Sequence, residues 1–92
     1  MLFAQKERMK VISKIKATIA QCDSAGLTVN KDKLISEICI NQGSTKIKAR
    51  EYIDDIINSG FCSDNNGELQ LNENERKRMA SEEFDSIIKN EN

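Results

Sequence analysis

The sequence predicts a mainly α fold with a small β-hairpin, an α+β chain that ends in an additional C-terminal helix. Three observations carry that expectation. Apolar residues recur at helical spacing in four separate segments, the first three of them closed by a glycine. The dipeptide Asn66-Gly67 stands between two short arms, and both residues tolerate the positive φ of a type I′ hairpin turn. The chain has 92 residues, enough for one hydrophobic core and no second.

The first helix is expected over about residues 3–22. Val11, Ile12, Ile15, Ile19 and Cys22 fall on one face at ~100° per residue, with Lys6, Lys10 and Lys14 opposite. Ser24-Ala25-Gly26 ends it, because glycine supplies the left-handed terminus that helices commonly need. Leu27-Thr28-Val29 is long enough only for a minor edge strand. Asn30 is placed to cap a second helix over about 31–40, with Leu34, Ile35, Ile38 and Cys39 as its buried stripe. Asn41-Gln42-Gly43 breaks that helix, and Thr45 or Ser44 caps a third over about 45–59. Its inner face holds Ala49, Tyr52, Ile53, Ile56 and Ile57, and Gly60 closes it. A hairpin is expected over 61–71, with arms Phe61-Cys62-Ser63 and Leu69-Gln70-Leu71. Asn72 with Glu75 reads as a capping-box variant opening a fourth helix, whose stripe is Ala80, Phe84, Ile87 and Ile88.

Composition excludes several classes. A hydrophobic content of 38% beside 32% charged residues fits a small soluble globular chain. No stretch approaches ~18 apolar residues, and MLFAQKERMK has no apolar run of signal-peptide length. A cytoplasmic or nucleoid-associated protein without a membrane partner is therefore expected. Cys22, Cys39 and Cys62 stand in a chain with no histidine and no C-x-x-C pair, so they read as reduced, small apolar core residues rather than a metal site. No Gly-rich phosphate loop, G-x-S-x-G or metal spacing is present, and Asp54 and Asp55 point ~100° apart on their helix. The expectation is a non-enzyme with no catalytic residues, no metal, no cofactor and no evident small-molecule ligand.

The net charge of −1 hides an asymmetry. Residues 1–60 hold ten Lys/Arg against seven Asp/Glu, whereas residues 61–92 hold four against eight. A phosphate-bearing partner should meet the first part. Within it, STKIKAREYIDDIINSGF places Lys46, Lys48 and Arg50 at the front of the third helix, where a helix N-terminus itself favours anions.

LISEICINQGSTKIKAREYI, INSGF and CSDNNGELQL together resemble winged helix-turn-helix domains over residues 10–71. The first quoted run is similar to the helix-turn-helix pair, the second to the exit from the recognition helix, and the third to the wing. The turn CINQGST is longer than the family's shortest form. This resemblance implies a domain over 1–71, with 72–92 as an added helix for packing or dimerisation. It also implies that the front of the third helix enters the major groove of double-stranded DNA, with Ser44, Thr45, Lys46, Ile47, Lys48 and Arg50 at the contact and Glu51 facing outward. Arg50 has the fork to read a guanine, Lys46 and Lys48 suit phosphates, and Ile47 suits a thymine methyl. Lys31 and Lys33, at the start of the second helix, are further phosphate candidates.

Asp64 and Glu68 at the wing tip, and Asp54 and Asp55 behind the basic cluster, are expected to repel phosphate. The acidic wing and the net charge of −1 fit an alternative better: a winged-helix protein-protein interaction module, an adaptor in a replication, transcription or trafficking complex. Leu2, Phe3 and Met9 lie off the core face of the first helix. With Ala80, Phe84, Ile87 and Ile88 they form a candidate homodimer interface, the other possibility being that the fourth helix packs on the first within one chain. Arg76-Lys77-Arg78 reads as solvated. The resulting expectation is a small dimeric transcriptional regulator that binds DNA sequence-specifically.

Overall fold

A computed structural model describes residues 3–90, and side chains from Gln5 to Glu82. Helix α1 spans Phe3–Ser24, strand β1 Val29–Asn30, helix α2 Lys31–Gln42 and helix α3 Lys46–Asn58. Strands β2 (Cys62–Asn65) and β3 (Glu68–Leu71) form the hairpin, and helix α4 spans Glu73–Asn90. The chain is mainly α with a small antiparallel sheet of order β1-β3-β2. This is the arrangement of a winged helix-turn-helix with an additional C-terminal helix. Leu2 lies outside the described residues, and so do the side chains of Phe3, Phe84, Ile87 and Ile88.

The helix boundaries follow from local chemistry. Asn30 is extended (φ −68°, ψ 121°), and its side-chain oxygen accepts from the Lys33 amide at 3.0 Å. Thr45 repeats the device for α3, its hydroxyl accepting from the Lys48 amide at 3.2 Å. Each cap satisfies one of the amides that a helix start leaves unpaired. Gly43 ends α2 in the left-handed region (φ +68°), a conformation that costs a residue with a Cβ. The chain can therefore reverse within three residues before α3 begins. Helices α1 and α2 each run two residues beyond their expected ends, to Ser24 and Gln42, while α3 is one residue shorter at each end.

The hairpin turn is as expected, with Asn66 at φ 54° and Gly67 at φ 87°. Cys62 pairs with Leu71 and Asn65 with Glu68. Phe61 is buried but precedes its strand. The short segment before α2 is indeed an edge strand, Val29 opposite Leu69 and Asn30 opposite Glu68. It turns a two-stranded hairpin into a three-stranded sheet, which is the smaller of two supports the hairpin needs. The larger is the core beneath it.

That core joins Val11, Ile15 and Ile19 of α1 to Leu34, Ile35 and Ile38 of α2 and to Ala49, Tyr52, Ile53 and Ile56 of α3. Phe61, Cys62, Leu69 and Leu71 close it from the sheet side. Of the three free cysteines only Cys62 is fully buried; Cys22 and Cys39 are partly so. Burial, and secondarily the charge of Asp64, push the Cys62 thiol above its ordinary value, so it stays protonated at neutral pH.

The capping box expected at α4 is absent. The Asn72 side chain is committed elsewhere: its amide donates to the Gly60 carbonyl at 2.6 Å, and its oxygen accepts from the Ser63 hydroxyl. Only the Asn72 backbone carbonyl serves the helix, accepting from the Glu75 and Arg76 amides. Asn72 thus fastens the hairpin base to the exit of α3.

Arg76 is likewise not merely solvated. Its guanidinium makes a two-pronged contact with Asp23, at 2.6 and 2.9 Å, and pins α4 to the end of α1. Lys77 and Arg78 bond within α4, to Glu73 and to Glu75 and Glu82. Asp23 is held below the usual carboxylate range, chiefly by the Arg76 hydrogen bonds. A depressed folded-state value means stabilisation that is whole above about pH 4 and lost as pH falls below it. Asp64 behaves alike, its carboxyl lowered by the Gly67 amide and then by Lys31. With no histidine in the chain, the melting temperature is expected to be flat from about pH 5.5 to 7.5 and to drop below about pH 4. Asp23→Asn should shrink that acid drop; an unchanged profile from thermal circular dichroism would remove Asp23 from the linkage.

Candidate nucleic-acid interface

Helix α3 presents three distinct sides. Its buried side is Ala49, Tyr52, Ile53 and Ile56. At ~100° per residue Ile47 stands opposite that side, with Glu51 one turn on. Lys46 and Arg50 share one flank and Lys48 lies on the other. The structure leaves Thr45, Lys46, Ile47, Lys48 and Arg50 exposed, and Ser44 half-buried in the turn. Ile47 is 70% exposed, so it contributes little to the core.

Among the described residues, Lys46, Lys48, Arg50 and Lys33 have no carboxylate within ion-pair distance. Lys31 differs from them. Its ammonium lies 3.2 Å from Asp64 on the hairpin and 3.8 Å from Asp54 on α3, and its side chain is only 25% exposed. It is a bridge between wing and helix rather than a free cation.

This bridge revises the expected repulsion. Asp64 is not a bare charge at the wing tip: one of its oxygens accepts from the Gly67 amide at 2.8 Å and the other meets Lys31. It closes the hairpin turn. The Lys31 amide also donates to the Gly67 carbonyl at 2.8 Å, so the wing tip is tied to the start of α2 by backbone as well as side chain. Asp55 is bound by Arg8 of α1, whose guanidinium also lies 5.5 Å from the Tyr52 ring centroid. Three of the four carboxylates held to oppose phosphate therefore have a cation at hand, Arg8 for Asp55 and a single Lys31 shared by Asp54 and Asp64, which leaves one negative charge in excess. Glu68, the fourth, is half-buried with one carboxylate oxygen shielded from solvent. Among the described acidic residues of α3, Glu51 is exposed and has no ion pair.

Two features escape a reading of the sequence. Ile40, on the last turn of α2, is 80% exposed. It falls outside the 34-35-38-39 stripe, and that angular offset was the available signal. Arg8 carries no local signal, because its partner Asp55 is 47 residues away. Of the dimer candidates with described side chains, Met9 is 54% exposed and Ala80 is exposed.

Among the described residues no cluster of His, Cys, Asp or Glu could hold a metal ion, and no helix is long and apolar enough to cross a membrane. Comparison with protein-family models, with curated proteins and with solved structures yields no match.

Proposed function

We propose that this chain binds double-stranded DNA through the N-terminal half of α3, as a small dimeric transcriptional regulator of the winged helix-turn-helix type. The observation that carries the reading is the segregation of charge on α3. Lys46, Lys48 and Arg50 stand exposed at its front with no ion pair among the described residues, while Asp54 and Asp55 behind them are bound by Lys31 and Arg8. Free cations at one end of an exposed helix suit a polyanion, because each phosphate they neutralise releases a condensed counterion. Lys46 and Lys48 hold phosphates, and Lys33 supports them from α2. Arg50 and Ile47 face the base edges, the first with a fork suited to guanine and the second with an apolar group suited to a thymine methyl. Lys31 acts indirectly, by holding the wing and by masking Asp54 and Asp64.

A second reading has its own observation. Ile40 and Ile47, at 80% and 70% exposure, bracket the turn between α2 and α3, and a protein partner would bury both. An adaptor of that kind binds no duplex.

Arg50 separates specific from general binding. Arg50→Lys keeps the charge and loses the two-pronged geometry. On a duplex selected from a random pool it is expected to cost about 1–3 kcal/mol, and on unselected duplex almost nothing. Equal losses on both duplexes, read by fluorescence anisotropy, would assign Arg50 to phosphate instead.

A further inference from the structure

Among the described side chains of helix α4, those that meet the rest of the protein lie near its start. Arg76 is clamped to Asp23, and Met79 packs against the core. Beyond that point Ala80, Ser81 and Glu82 are exposed. An open groove of about 820 Å³ lies between α1 and α4; its apolar lining is Ala17, Ala20, Leu71, Met79 and Ala80, and the Asp23–Arg76 pair and Glu82 line it as well. A second opening of about 600 Å³ continues along the outer face of α1, past Met9 and between Lys6, Lys10 and Lys14. Three alanines around the groove allow another helix to approach closely, at the ~8–10 Å typical of packed helices.

The chemistry of the two faces says what that helix is. The outer face of α1 is basic around an exposed methionine: Lys6 and Lys14 have no ion-pair partner among the described residues, and Lys10 has only Glu7 at 3.9 Å. The sequence of α4 has the opposite pattern: at ~100° per residue Glu83 and Asp85 flank the stripe of Ala80, Phe84, Ile87 and Ile88. We infer that the groove between α1 and α4 seats the C-terminal half of α4 from a second copy of this chain. The contact is isologous, each copy offering its basic α1 face to the acidic, apolar α4 of the other. Burial of the α4 stripe provides the attraction, and the charge pattern sets which helix is accepted. This deepens the dimeric part of the reading above and does not depend on its DNA part.

The test uses the full chain without DNA, so it succeeds or fails separately from duplex binding. Sedimentation equilibrium of the wild type is expected to give twice the 10.4 kDa chain mass. Ala17→Glu puts a carboxylate on the groove floor at an exposed position, so the monomer should keep its helical circular dichroism while the dimer weakens at least about tenfold. Lys10→Glu/Lys14→Glu makes both faces acidic, and Glu83→Lys/Asp85→Lys makes both basic. Each chain alone should be monomeric, and an equal mixture should form a heterodimer. That mixing result cannot arise if α4 folds back on its own α1. A monomeric wild type, a dimer indifferent to Ala17→Glu, or a mixture that stays monomeric would each overturn the inference.

Discussion

Lys46→Ala/Lys48→Ala is expected to bind duplex DNA roughly sixtyfold more weakly than the wild type at ~0.1 M salt, with helical circular dichroism unchanged. The magnitude follows from counterion release. Affinity scales with salt concentration to a power of about −0.9 per phosphate contact, so at ~0.1 M one contact is worth roughly eightfold and two roughly sixtyfold. The fold should be indifferent, because both side chains are exposed and make no ion pair within the described chain. Thr45, which caps α3 through the Lys48 backbone amide, is untouched by the change. The slope of log affinity against log salt should fall by about two contacts' worth. Equal affinity in the two proteins would remove the front of α3 from the interface.

Ile53→Ala is the opposite experiment on the same helix. Ile53 is fully buried where α1, α2, α3 and the sheet meet, and truncation leaves a cavity that its neighbours cannot wholly fill. The expected cost is about 2–5 kcal/mol. For a chain of this length, total stability is on the order of 5–14 kcal/mol, so the variant should unfold at distinctly lower urea concentration with its m-value retained. Ile47→Ala, six residues earlier, should stay within about 0.5 kcal/mol of wild type. The contrast tests which side of α3 faces the core. Similar losses at Ile47 and Ile53 would mean that the outward side is itself packed.

Much of this architecture was legible along the chain because local chemistry determines it. The stripe of Val11, Ile15 and Ile19, the caps at Asn30 and Thr45, and the turn at Asn66-Gly67 each depend on residues no more than a few turns apart. Misreadings arose where a side chain had a distant partner. Asn72 looked like a helix cap, but across the hairpin base the Gly60 carbonyl claims its side-chain N–H and the Ser63 hydroxyl its side-chain oxygen. Arg76 looked solvated, but Asp23 is 53 residues upstream. Asp54, Asp55 and Asp64 looked like bare charges opposing a polyanion. Lys31 and Arg8, which bind them, belong to other helices. Sequence spacing gives the face a residue occupies on its own helix, and it carries no record of which foreign element that face will meet.

The candidate interface shows the same division. Exposure of Lys46, Ile47, Lys48 and Arg50 follows from their offset from the Ala49-Tyr52-Ile53-Ile56 stripe, and the structure bears it out. Lys31 could be separated from the free lysines only by folding, since its two carboxylates come from α3 and the wing. Ile40 could have been found by angle alone.

The most direct measurement is the affinity of the wild-type chain for a mixed-sequence duplex of about 30 base pairs at two salt concentrations, ~50 and ~200 mM. Binding through the front of α3 is expected to be clear at the lower salt. With Lys46, Lys48 and Lys33 on phosphates in each chain of a dimer, affinity should fall by roughly a thousandfold at the higher salt. No binding at ~50 mM, or an affinity that does not move with salt, would contradict a DNA-binding function and leave the exposed isoleucines around the α2–α3 turn to a protein partner.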